Sequence, residues 1–239
     1  MSSKQQLDRY EIKGKLGKGA MALVLHAYDP RFQRDVALKV LHRKFANNTI
    51  VRQRFIQEAR TIASIDHPAI VPIYDAAQDD EYVFLVMRLM EADSLFDRLE
   101  KEEAFPIDEI PAIIERVGAA LDAAHAAGIV HRDVKPANIM FDRYGAAYLA
   151  DFGIVKIAES DKRMTTDSLV GTPAYMSPEQ VGGTNEIDGR SDIYALGAVL
   201  YELLTGDLPY TADTALQMAM QHITQPVPRL QNHSPELSK

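Results

Sequence analysis

Between residues 131 and 138 the chain sets His131, Arg132, Asp133, Lys135 and Asn138 within eight positions. Apolar runs flank them, Gly128-Ile129-Val130 before and Ile139-Met140-Phe141 after. Polar types clustered between apolar runs describe a loop held at a cleft. An aspartate orients an attacking hydroxyl and accepts its proton. An asparagine offers a neutral oxygen to a hard cation, and a lysine offsets charge developing on a phosphate. A solvated surface loop would not need these types at this spacing. Asp151-Phe152-Gly153 follows a second apolar run over residues 146–150. Its aspartate is a hard oxygen ligand suited to magnesium. Its glycine permits an unusual backbone angle, and Phe152 can pack into the core behind it.

Two further groups carry possible chemistry. Gly17-Lys18-Gly19-Ala20-Met21-Ala22 is a glycine-rich turn, and glycines let backbone amides approach phosphate oxygens. An ordinary hairpin turn taken alone would look the same. The third position is Ala22 and no helix follows, so the dinucleotide-fold reading fails. Val36-Ala37-Leu38-Lys39 places a lysine at the end of an apolar strand, where a lysine is usually a solvated edge residue. Glu58 shares a helix face with Ile62, four residues on. An acidic group on a partly buried face needs a cation, so the spacing suggests a Lys39–Glu58 pair.

The elements that must position these groups fall into two blocks. Residues 10–15, 22–28 and 35–41 read as strands broken by Gly17 to Gly19 and by Asp29-Pro30. Residues 51–65 carry a helical stripe of Phe55, Ala59, Ile62 and Ala63, ended by His67-Pro68. Strands follow near 71–75 and 82–89. Residues 110–127 form a long helix with Ile113, Ile114, Val117, Leu121 and Ala124 on one face, closed by Gly128. Further helices are expected over 192–204 and 212–223. The plan is a strand-rich lobe over residues 1–90 with one helix and a helix-rich lobe over 91–239, joined near 88–93.

Composition narrows the classes. The chain has 239 residues, 46% hydrophobic and 25% charged, with a net charge of −8. An acidic balance argues against a nucleic-acid partner. The absence of cysteine excludes disulfides, thiolate zinc sites and a cysteine nucleophile. It fits a reducing, cytoplasmic setting. The polar start lacks an apolar signal core. The longest apolar stretch, from Tyr194 to Tyr201, is too short to span a bilayer and meets Glu202.

Taken in order, the glycine turn, the strand lysine, the helix glutamate, His131-Arg132-Asp133 with Lys135 and Asn138, Asp151-Phe152-Gly153, and Ser177-Pro178-Glu179 resemble the protein kinase family. The resemblance covers residues 10–228. The wording from His131 to Met140 and from Gly171 to Gln180 is similar to the bacterial, Hanks-type serine/threonine branch. It implies an α+β, bilobal fold: an antiparallel five-stranded sheet with one helix, then a mainly helical lobe. It implies ATP with Mg2+ or Mn2+, protein substrates, and transfer of the γ-phosphoryl to serine or threonine hydroxyls. The runner-up is a catalytically weak nucleotide-binding scaffold.

By the same resemblance, Lys39 contacts the α- and β-phosphates and is held by Glu58. Asp133 is the catalytic base, Lys135 touches the γ-phosphate, and Asn138 and Asp151 hold the metal. The glycine loop with Gly17 and Gly19 covers the phosphates. Leu16, Val24, Ala37 and Met140 sandwich adenine. Met87 is the gatekeeper before Arg88, Leu89 and Met90, whose backbone reads the adenine edge. His131 is structural, stacked with Phe152, Ile62 and Ile73, and Asp192 pins the catalytic loop. Thr172 hydrogen-bonds Asp133 or Lys135.

Residues 159–168 are polar, and Thr165, Thr166 and Ser168 are candidate phosphorylation sites whose phosphate would pair with Arg132. Autophosphorylation would proceed in a homodimer. Ala22, in the third glycine's place, is expected to stiffen the loop. The family continues with further helices that supply an arginine to Glu179. None is present here, so the second lobe reads as truncated. Glu179 is expected to lack that partner, and an apolar face to lie exposed.

Overall fold

The computed structural model describes residues 6–19, 22–46, 48–78, 82–101, 105–152, 173–183 and 187–230. Gly153, Thr165, Thr166, Ser168, Gly171 and Thr172 therefore lie outside the described residues. The chain divides into two compact units. Among the described residues, the first draws on those up to Asp66 and on Val71–Glu91, the second on His67–Ile70 and on those from Ala92.

Unit one is built on an antiparallel sheet of β1 (Gln6–Leu7), β2 (Tyr10–Lys18), β3 (Ala22–Asp29), β4 (Arg34–Leu41), β5 (Ile73–Gln78) and β6 (Val83–Arg88), ordered β1-β2-β3-β4-β6-β5. Six strands replace the expected five because the two-residue β1 adds an edge, too short to leave a pattern in the sequence. Strand alternation sorts β4. Val36, Leu38 and Val40 join Leu7, Tyr10, Ala27, Phe84 and Val86 in one core cluster, and Ala37 and Lys39 face the other way.

A short helix, α1 (Arg43–Ala46), precedes α2 (Thr49–Ala63). Asn48 caps α2 by accepting from the Ile50 and Val51 amides at 3.0 and 3.3 Å. The helix buries Val51, Phe55, Ala59 and Ile62. Ala63, expected on that face, is exposed. The helix stops before His67-Pro68 because Ser64 folds back, its hydroxyl donating to the Thr61 carbonyl at 2.7 Å.

Among its described residues, unit two holds α3 (Leu95–Lys101), α4 (Ile110–Ala126), the hairpin of β7 (Ile139–Phe141) and β8 (Ala147–Leu149), α5 (Pro178–Val181), α6 (Gly189–Thr205) and α7 (Ala215–Thr224). Val117, Ala120, Leu121 and Ala124 of α4 are fully buried. Gly128, at φ 76°, ends α4: its amide donates to the His125 carbonyl and the Ile129 amide to that of Ala124, both at 2.9 Å. The expected helix at 192 begins at Gly189, because Asp188 caps it by accepting from the Arg190 amide. Beside α4 and α6 lies an open apolar groove of about 490 Å³, lined chiefly by Ile107, Ile110, Ile114, Leu200 and Leu204.

Candidate active site

In unit two, the turn at Gly128 delivers the chain into residues 129–135, and a 3-10 turn, Pro136–Asn138, returns it to β7. The β7–β8 hairpin ties both ends of the site together. The Ala150 amide donates to the Asn138 carbonyl at 2.8 Å, so Asn138 and Asp151 leave adjacent strands side by side.

Asp192, 0% exposed in the first turn of α6, is the anchor. Its carboxylate accepts the His131 amide at one oxygen and the Arg132 amide at the other, each at 2.7 Å. His125, from the end of α4, adds a contact at 2.8 Å through Nε2. A buried carboxylate requires such donors. Arg132 is left-handed, φ 64°, a conformation a non-glycine residue keeps only when its surroundings over-determine it. Asp192 holds its amide, and the Gln180 side-chain amide donates to its carbonyl at 2.9 Å. Asp151 is also left-handed, φ 56°.

Asp133 sits inside this frame. The Asn138 Nδ2 group donates to the Asp133 carbonyl at 2.7 Å and to its Oδ2 at 3.1 Å. Lys135 Nζ lies 2.9 Å from the same Oδ2. The Asp133 amide donates to His131 Nδ1 at 3.2 Å, and His131 Nε2 faces the Ala150 carbonyl at 3.0 Å. The buried His131 ring lies 4.5 Å from Phe152. That part of the expected stack is present. Ile62 is buried on α2 and Ile73 lies in β5, both within unit one.

The segment before α6 is held from below. Ser177 and Gln180 form a capping box at the start of α5. Glu179, expected to lack its partner, accepts a hydrogen bond from the Ser191 hydroxyl. Tyr175 donates to the Glu202 carboxylate at 2.7 Å, and burial raises the pKa values of both. His125, Gln180 and the Tyr175–Glu202 pair were not singled out from the sequence. Each meets its partner across 27 to 67 residues, a distance at which spacing carries no signal.

In unit one, strand register puts a second set on a common sheet face. Val24 lies opposite Lys39, and Ala37 opposite Met87. Leu16, in the neighbouring strand β2, is 51% exposed. Lys39 and Glu58 are both half-buried, and neither stands without a partner. The glycine turn is closed by the Gly19 amide donating to the Ala22 carbonyl at 2.9 Å. Neither glycine is demanded by this unit's own packing. A Cβ at Gly17 would meet nothing within 4 Å, and one at Gly19 only the Ala22 carbonyl at 3.6 Å. Met87, Arg88 and Met90 are half-buried at the end of β6 and just beyond, and Met140 is half-buried in β7 of unit two.

A polar loop braced by a helix aspartate, beside a hairpin followed by Asp151-Phe152, is an arrangement of the protein-kinase type. Residues 10–239 match the family described as the protein kinase domain. The serine/threonine-protein kinase PknL of Mycobacterium tuberculosis is 41% identical over 221 residues, covering 92% of this chain and 55% of that protein. PknB of Mycobacterium leprae is 40% identical over 232 residues, covering 95% of this chain and 37% of that protein. The crystal structure of the Mycobacterium tuberculosis PknI kinase domain superposes with a TM-score of 0.76 at 30% identity, covering all of this chain and 86% of that one. The chain belongs to the protein kinase family, in its bacterial serine/threonine branch, and spans about half the length of PknL or less of PknB. Such domains are enzymes that use ATP and a divalent metal to phosphorylate proteins. No helix among the described residues is long and apolar enough to cross a membrane.

Proposed function

We propose that this domain moves the ATP γ-phosphoryl to serine and threonine hydroxyls with Asp133 as the positioning base and Asn138 and Asp151 as Mg2+ ligands. The observation that carries the reading is the orientation of Asn138. Its NH2 group is committed to Asp133, so its Oδ1 is left as a neutral oxygen for a cation. Asp151 adds a carboxylate. Among the described residues no group of three or more His, Cys, Asp or Glu forms a closed metal cage. Two oxygen donors suit Mg2+, which completes its shell with phosphates and water; Mn2+ shares the preference. When bound, the ion neutralises phosphate charge.

The residues do the rest. Asp133 Oδ2, oriented by Asn138 and Lys135, accepts the proton of the substrate hydroxyl. Lys135 Nζ offsets charge on the γ-phosphate. Lys39, held by Glu58, serves the α- and β-phosphates, and the turn carrying Gly17 and Gly19 presents backbone amides to them. Leu16, Val24, Ala37 and Met140 pack on adenine, with Met87 as gatekeeper and the Arg88 and Met90 backbone reading its edge. Residues 1–90 act as the nucleotide lobe and 91–239 as the catalytic lobe. Autophosphorylation at Thr165 or Thr166, in a homodimer in the cytoplasm, would give Arg132 an anionic partner. Among the described residues, the buried Arg132 Nε has no hydrogen-bond partner.

A labelled-ATP assay on a generic protein substrate tests the roles. Asp133→Asn and Lys39→Met are expected to lose activity by about 10²- to 10⁴-fold, with phosphoserine or phosphothreonine formed by the unmutated chain alone. Turnover by Asp133→Asn near the unmutated rate would remove Asp133 from the chemistry.

A further inference from the structure

The glycine turn is not held by its own backbone alone. His42 follows the last residue of β4, and the cross-strand pair Ala22–Leu41 brings that strand end beside the turn. From there the His42 ring Nε2 reaches the Gly19 carbonyl at 3.1 Å. A carbonyl accepts, so the ring nitrogen donates. The histidine is itself tied down at its backbone. Its carbonyl accepts the Phe45 and Ala46 amides at 2.8 and 3.1 Å, opening α1. The contact therefore runs from a fixed strand-to-helix junction, three residues beyond Lys39, to the turn.

The consequence is orientational. A planar trans peptide points its C=O and N–H in opposite directions. The Gly19 carbonyl is held against His42 and the Gly19 amide on Ala22, so this glycine's backbone is tied at both of its polar groups. Gly17 and Gly19 have room for a Cβ within the unit, so neither glycine is held by crowding.

We infer that His42 is a positioning residue for nucleotide binding, latching the Gly19 carbonyl so that the glycine turn meets the ATP phosphates in a set backbone orientation. The inference rests on the reading that this turn receives those phosphates. Since preorganisation lowers the ordering cost of binding, the effect falls on affinity for phosphate-bearing ligands and not on the chemical step.

Calorimetric titration of the full chain with ATP and with adenosine, beside steady-state kinetics, tests it. His42→Ala keeps the backbone cap of α1 and removes the latch. We expect ATP affinity to fall, and KM for ATP to rise, by about three- to fivefold, the size of one exposed hydrogen bond. Adenosine affinity and kcat stay unchanged. His42→Gln, whose terminal NH2 reaches to a similar distance, restores most of the loss, and His42→Asn, one methylene shorter, does not. Unchanged ATP affinity in His42→Ala, an equal loss for adenosine, or no recovery with glutamine would each overturn the latch. Failure of the unmutated chain to bind ATP at all would instead defeat the underlying reading of the turn.

Discussion

His131 satisfies both ring nitrogens only as a neutral imidazole. Nδ1 accepts the Asp133 amide and Nε2 donates to the Ala150 carbonyl. Burial pulls its pKa below the usual histidine value, against the opposing pull of Asp192. The unfolded chain takes up this proton near pH 6.5, the folded chain only at lower pH. Stability from this group is present above that pH and is lost as pH falls below it, by at most about 1.4 kcal/mol per pH unit. Thermal melts from pH 7.5 to 5 should therefore slope less steeply for His131→Phe than for the unmutated chain. Parallel profiles would show that His131 does not titrate in this way. Its packing role against Phe152 came with the family resemblance, since both residues lie inside the motifs that carry it. Gln180 was not, since a glutamine bonded to a backbone carbonyl 48 residues away leaves no trace in local spacing.

The start of α6 and the end of α4 constrain each other through one glycine. A Cβ on Gly189 would lie 2.7 Å from the His125 ring, closer than side-chain atoms can sit. Gly189→Ala must push the ring away and break its 2.8 Å contact with Asp192. We expect a loss of about 1–3 kcal/mol in denaturant unfolding, whereas Gly17→Ala, facing open space, should stay within about 0.5 kcal/mol. Equal stability of the two variants would mean that the ring moves at no cost. The long helices were readable because several turns of apolar periodicity accumulate. α1, α3 and α5, with four to seven residues, complete too few turns to register. Boundaries erred where a side chain intervened: Asp188 begins α6 before the apolar stripe does, and Ser64 ends α2 before the proline is reached.

Across the described residues, buried phenols make stability fall at alkaline pH. Burial pushes Tyr10 up to about 12, and raises Tyr175 and Tyr194 further. An unfolded tyrosine releases its proton near pH 10; these hold theirs. Above pH 10 the folded chain therefore binds more protons than the unfolded one, and stability falls as pH rises. Absorbance at 295 nm should show part of the ten tyrosines ionising only together with loss of the circular dichroism signal. Complete ionisation near pH 10 with the fold intact would contradict the burial. Glu202, raised by the same desolvation and relieved by Tyr175, works in the same direction from its unfolded pKa upward. Asp192 has a different reach. Its two oxygens take two consecutive amides, so the loop is measured against a ruler one carboxylate wide. Surface loops tolerate insertion and deletion; this one does not. A residue gained or lost between Val130 and Asp133 would slide one amide off its oxygen and carry Asp133 out of line, which fixes the length of this stretch as firmly as its composition.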